Sequence, residues 1–175
     1  LELMGEVVVP EEAREVKYAV ARAVGDRARD VEIPEDARAQ MVTLLERLIK
    51  DPDASVRAEA ASSLGDTGEL LALQILTDRS LVEADESVLE KLVGAVGALG
   101  FIDGIPMIGR ASRKGSNGNH ASLLDASRGA VARIGQDREP HDWLRMAELL
   151  SQVAAWDLAA WCYEEIDGRF GSAIE

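Results

Sequence analysis

Between Asp51 and Gly68 the chain reads DPDASVRAEAASSLGDTG, a stretch with a helix start, a buried face and a helix stop all written in it. Asp53 is placed to cap the first turn, because a short acceptor there satisfies amides that a helix leaves unpaired. Val56, Ala60, Ala61 and Leu64 fall on one side of a 3.6-residue period, and Gly65 is expected to end the helix. The same face returns along the chain. Val16, Val20, Ala21 and Val24 superpose on it at an offset of 40 residues, and further copies are read before Gly100, Gly135 and Asp167, at intervals of 35, 35 and 32. A two-helix unit of that length cannot bury its apolar face alone, so it must stack on its neighbours.

The segments between these copies also read as helices. Pro10-Glu11-Glu12 and Pro34-Glu35-Asp36 are start signals, since proline at the first helical position wastes no amide and acids suit the positive end of the dipole. Met41, Leu44, Leu45 and Leu48 form one face, and Leu70, Leu71, Leu73, Ile75 and Leu76 another, with a break expected near Asp78 to Ser80. Later helices are expected over Asp103 to Ser112, from Pro140 with Trp143 and Leu144, and over Asp157 to Asp167 with Leu158, Cys162, Tyr163 and Ile166 inward. The third copy has two possible registers. Aligning Gly100 with Gly65 turns Lys91, Ala95, Val96 and Leu99 inward, whereas aligning Gly97 turns Val88, Leu92, Val93 and Val96 inward. The first is preferred, because FIDGIPMI then begins the next helix where Asp66 begins its own. The expectation is an all-α, right-handed α-solenoid of about five stacked antiparallel helix pairs over residues 10–168. Residues 1–9 read as a tail or connecting segment, with a strand-like run at Glu6 to Val9, and residues 169–175 as a second tail.

Val56-Arg57, Ala60, Leu64-Gly65, and later Leu99-Gly100 with Ile105-Pro106, resemble HEAT repeats, closest to the short bacterial kind named after phycobilisome lyases. The resemblance covers about residues 10–168 and departs from the pattern at Lys91 and Asp167. It implies a scaffold whose inner helices line a groove for another protein; the alternative is a ligand-handling enzyme similar to the bilin lyases, or less readily to HEAT-like DNA glycosylases. It also implies that Arg57 bonds carbonyls or acids of the neighbouring turn, a structural role worth about 1 kcal/mol if partly exposed.

Composition narrows the partner. A net charge of −13 argues against a nucleic acid, whose phosphates are held by lysine and arginine. No apolar run approaches the roughly 20 residues that a bilayer span needs. One cysteine excludes an internal disulfide framework and fits a reducing compartment, so a soluble cytoplasmic protein is expected. Opening on Leu1 rather than methionine leaves room for a lost leader or a neighbouring domain.

The chemistry-bearing residues are few. His120 and His141 have no ligand-type partner at helical spacing, the His-Glu pairs of iron hydroxylases built on similar repeats do not occur, and Cys162 falls at a small inner position. No catalytic, metal or cofactor site is expected. Gly115-Ser116-Asn117-Gly118 lacks the strand and the Lys-Ser/Thr ending of a phosphate loop. Arg110, Arg113 and Lys114 form one basic cluster, read as a solvated loop or as a contact for an acidic partner.

A helical wheel puts Ser55, Ala58, Glu59 and Ser62 opposite the buried face, on the side that a HEAT-like stack makes concave. The equivalent positions are Glu15, Tyr18, Ala19 and Arg22; Glu90, Val93, Gly94 and Gly97; Asp125, Arg128, Gly129 and Ala132; and Asp157, Ala160, Trp161 and Glu164. Small residues occupy the middle, Tyr18 and Trp161 stand at the ends as anchors, and Glu15, Glu90, Asp125 and Asp157 make an acid row. The partner expected there is a basic or amphipathic segment of another protein.

Overall fold

A computed structural model describes residues 11–30, 32–114 and 120–171. The expected tail over 1–9 with its strand-like run, the loop glycines Gly115 and Gly118, and residues 172–175 lie outside the described residues. Among the described residues there are helices and turns and no strand. The helices are α1 (Glu11–Ala28), α2 (Glu35–Leu48), α3 (Ala54–Asp66), α4 (Leu70–Val82), α5 (Glu86–Leu99), α6 (Ile105–Ser112), α7 (His120–Ile134), α8 (Pro140–Gln152) and α9 (Trp156–Phe170). A 3-10 turn, Ile102–Gly104, leads into α6.

The helices form an α-solenoid of two layers. An inner layer runs α1, α3, α5, α7, each helix packed on the next, and an outer layer runs α2, α4, α6, α8 behind it. The apolar stripe of each inner helix meets the outer helices, giving one continuous core from Ala21 to Cys162. α9 departs from this alternation and packs chiefly on α8.

Local sequence explains each boundary. Asp53 accepts hydrogen bonds from the amides of Ser55 and Val56 at 2.8 and 3.3 Å, and Asp85 does the same for Ser87 and Val88. The Ser55 and Ser87 hydroxyls bond the same carboxylates and, with those amides, hold both acids below the usual carboxylate range. These matched caps fix the repeat register. Asp85 corresponds to Asp53, so Val88, Leu92, Val93 and Val96 correspond to Val56, Ala60, Ala61 and Leu64, and all eight are buried. Gly97, not Gly100, is the counterpart of Gly65, and Lys91 is exposed.

The two glycines do different work. A Cβ on Gly65 would lie 2.8 Å from Ala95 Cα, and one on Gly97 would lie 2.7 Å from Ala130 Cα. Their role is close approach of successive inner helices, and Gly65 sits within α3 and does not stop it. Gly100 instead ends α5 with a φ of 74°, a left-handed conformation that suits glycine.

Other expectations are corrected by the same packing. α4 continues through Asp78 to Ser80 and ends at Val82. Its Leu70 and Leu71 are exposed while Ala72, Leu73, Ile75 and Leu76 are buried. In α2 and at its C-cap the buried residues are Val42, Leu45 and Ile49, so Leu45 is buried as expected while Leu44 is exposed and Met41 and Leu48 are half-buried. Tyr163 is exposed, whereas Leu158 and Cys162 are buried as expected.

Charged side chains stitch the loops along both edges. On one edge Arg57 bonds both carboxylate oxygens of Glu83, at 2.9 and 3.1 Å, and the carbonyls of Asp51 and Pro52 at 3.1 and 2.8 Å. Glu83 is buried, yet it also accepts from Arg79 and from the amides of Ala84 and Asp85. Burial alone would raise its pKa, but these donors outweigh it and lower the group to about 2. Lys114 reaches the carbonyls of Ser80 and Leu81, and Arg113 that of Val153. Two members of the basic cluster read in the sequence, Arg113 and Lys114, are therefore drawn onto helix C-termini, where cations suit the dipole. On the opposite edge Arg38 links the carbonyls of Ala28 and Thr67, and Arg138 those of Ile134 and Gly100.

Candidate functional site

A hollow on the inner face crosses three helices. Ser62 and Asp66 of α3, Glu90, Lys91, Gly94, Ala95 and Ala98 of α5, Arg133 of α7, and Arg29 beyond the end of α1 enclose about 340 Å³. Its floor is made of small residues because successive inner helices approach closely, and a Cβ on Gly94 would meet nothing within 4 Å. The rim is held in place from neighbouring helices. Arg29 bonds Asp66 at 2.8 Å, Ser122 of α7 donates to Glu90 at 2.6 Å, and Arg133 donates to the Gly94 carbonyl at 3.3 Å. The rim carries both signs of charge, so it offers paired polar contacts on either side of an apolar-to-small floor.

The residues expected from sequence separate into three groups. Glu90 lines the groove, and with it Ser62 and Gly94. Glu15, Arg22, Asp125 and Glu164 are exposed on helices beside or beyond it, and Arg128 approaches Asp125 at 3.8 Å within α7. Tyr18 pairs across to α3, where its hydrogen bond to Glu59, and then the charge of that carboxylate, raise the phenol above its usual value. The third group lies on α9 and leaves the face. Asp157 lines a separate hollow with Ser112, Arg113, Leu124 and the turn before α9. Trp161 is half-buried and meets Trp143 edge to face with ring centroids 6.1 Å apart, while Arg169 sits 4.8 Å over the Trp143 ring. Trp161 is thus a closing element of the last unit rather than an open anchor, and the acid row is interrupted before Asp157. Val93 and Gly97, expected on the open face, are buried.

Sequence reasoning missed Arg29, Asp66, Lys91, Ala95, Ala98 and Arg133. For Lys91 and Ala98 the cause is the three-residue slip in the third copy, whereas Arg29, Asp66 and Arg133 lie outside α5, beyond the positions taken from the wheel. With Asp85 matched to Asp53, the counterparts of Ala58, Glu59, Ser62 and Asp66 become Glu90, Lys91, Gly94 and Ala98, which are residues of the groove.

The remaining chemistry-bearing groups are structural in their placement. Cys162 is fully buried, and burial together with the nearby Glu165 pushes its thiol up to about 12. Ellman's reagent should therefore leave native protein unmodified and titrate one thiol only after unfolding. His141 is exposed and lies 3.8 Å from Asp142, and the His120 side chain is outside the described residues. Among the described residues no three His, Cys, Asp or Glu side chains gather as a metal site, and no helix is long and apolar enough to cross a membrane.

Comparison with known proteins bears on the repeat itself. A family model described as HEAT repeats matches residues 2–100, and a search of curated proteins returns no match.

Proposed function

Because this chain belongs to the HEAT-repeat family, we propose that it is a protein-interaction scaffold that takes a segment of another protein across its inner face. HEAT repeats generally mediate protein interactions, which sets the class. The groove floored by Ser62, Gly94, Ala95 and Ala98 is the observation that carries the location. A floor of small side chains lets a partner backbone or a helix ridge come close, and the rim of Asp66, Glu90, Arg29, Lys91 and Arg133 can pair polar groups on both flanks. The overall charge of −13 favours approach of a basic or amphipathic segment, while the mixed rim fixes its register.

A photo-reactive residue at Ala98 should cross-link a discrete protein from the source cell, while one at Val82 on the outer layer should not. Filling the groove with Ser62→Trp should then weaken that complex at least tenfold, with the circular dichroism spectrum unchanged. Full retention of the partner by folded Ser62→Trp and Ala98→Trp variants would place the interaction elsewhere.

A further inference from the structure

The chain holds four lysines, and three of them are engaged. Lys17 pairs with Asp51, Lys50 with Glu46, and Lys114 donates to carbonyls at the end of α4. Lys91 makes no hydrogen bond or ion pair among the described residues, although acids outnumber bases in the chain by 32 to 19. It is exposed in the groove and stands well inside α5, away from either end, so the helix dipole does not account for it. Arg133, on the next inner helix, lines the same groove and has no carboxylate partner; its bond to the Gly94 carbonyl, at 3.3 Å, uses one of five guanidinium donors. The acids at hand are committed elsewhere. Asp66 takes Arg29, Glu90 accepts from Ser122, and Glu59, which holds on α3 the repeat position of Lys91 on α5, is hydrogen-bonded by Tyr18.

We propose, resting on the groove as the protein-binding site, that the segment seated there presents an aspartate or glutamate side chain to Lys91 and Arg133. The lining carries Arg29, Lys91 and Arg133 against Asp66 and Glu90, an excess of one positive charge. A carboxylate, with its single negative charge, matches that excess and can accept from an ammonium and a guanidinium together. A phosphate, close to a dianion at neutral pH, would exceed it and meet the two rim acids as well. A segment that crosses the inner face offers side chains rather than its end, so the carboxylate is that of an internal residue. The small floor of Gly94, Ala95 and Ala98 lets the backbone of the segment sit low enough for a short acidic side chain to reach both cations. Overall and local charge then select different parts of one partner. The net charge of −13 attracts basic residues at the flanks of the segment, while the unpaired cations of the groove read an acid at its centre.

Short random peptides displayed on phage, selected on the full chain and counter-selected on a folded variant carrying Ser62→Trp and Ala98→Trp, should yield groove-dependent binders that share an aspartate or glutamate among apolar residues. In fluorescence polarisation with the synthetic peptide, replacing that acid by glutamine should weaken binding about tenfold, the contribution of charge-assisted hydrogen bonds. Lys91→Gln with Arg133→Gln should cause a similar loss, and both positions are exposed, so the fold is kept. Lys91→Glu with Arg133→Glu should reverse the preference, so that a peptide with lysine in place of the acid binds better than its parent. Groove-dependent peptides that lack an acid overturn the proposal while leaving the groove as the site, and so does an acidic peptide that the two paired variants bind as tightly as the native chain does. Recovery of no groove-dependent peptide overturns the groove as the site, and the carboxylate contact with it.

Discussion

Glu83→Ala should lower the stability of the folded chain by about 3 to 5 kcal/mol, the usual cost of removing one member of a buried ion pair. Its carboxylate is 2% exposed and receives two arginines and two backbone amides, so the substitution strands the Arg57 and Arg79 guanidiniums in a site with little access to water. At this chain length the melting temperature should fall by roughly 10 °C. Arg57 is itself 11% exposed and fully engaged, so Arg57→Ala should cost more than the roughly 1 kcal/mol of an exposed pair. The same carboxylate sets an acid limit. Its pKa is lowered from 4.5 to about 2 in the folded protein, so its contribution is complete above the unfolded value and is lost as pH falls through the folded one. Denaturant titrations between pH 5 and pH 2 should show a loss of about 3 kcal/mol from this group. Glu83→Gln should flatten that part of the profile; a variant with the wild-type slope would show that other acids produce it.

Gly97→Ala and Gly94→Ala should move stability in opposite directions, although the positions lie three residues apart on one helix. Alanine is the better helix former by about 1 kcal/mol, and at Gly94 nothing stands within 4 Å of the added methyl. Gly94→Ala should therefore be stabilising by roughly 0.5 to 1 kcal/mol. At Gly97 the methyl would meet the Ala130 backbone at 2.7 Å and force α5 and α7 apart, which should outweigh the propensity gain and leave a net loss of about 1 to 3 kcal/mol. Chemical denaturation of the two variants checks both signs. Equal shifts would mean that the helices can separate freely at Ala130.

This pair also shows what the sequence could and could not convey. Helix starts were legible because capping is local: Asp53, Pro34 and Pro140 announce α3, α2 and α8 without reference to the rest of the chain. Periodicity likewise identified Val56, Ala60, Ala61 and Leu64 as core. What a glycine is for is not local. Gly97 is required by the backbone of Ala130 and Gly100 by a left-handed turn, and in one dimension the two look alike. Choosing the wrong one displaced the expected inner face by three residues and hid Lys91 and Ala98. The end effects were equally hidden. Val16 has the same pattern as Val56 but is 62% exposed, with no outer helix before α1 among the described residues, and Trp161 turns inward because α9 abandons the inner layer for α8. Arg38 and Arg138 carry no signal in the sequence, and Arg113 and Lys114 read there as a solvated loop or an acidic-partner contact, since carbonyl acceptors leave no mark in a sequence; the carbonyl and acid bonds of Arg57 were expected only from the resemblance.

Those five cations bear on how the array comes apart. Stacked helix pairs held only by nearest-neighbour packing unravel from their ends, each unit melting when its own contacts fail. Here the carbonyls that cap one pair are bonded by a side chain rooted in another, as when Arg38 spans Ala28 and Thr67, or Arg113 reaches Val153. Opening any loop therefore releases a bond in the adjacent unit, and the free energy of a local opening is tied to that of its neighbours. The array gains cooperativity that stacking alone would not give it, so a binding event that tightens one unit stiffens those on either side.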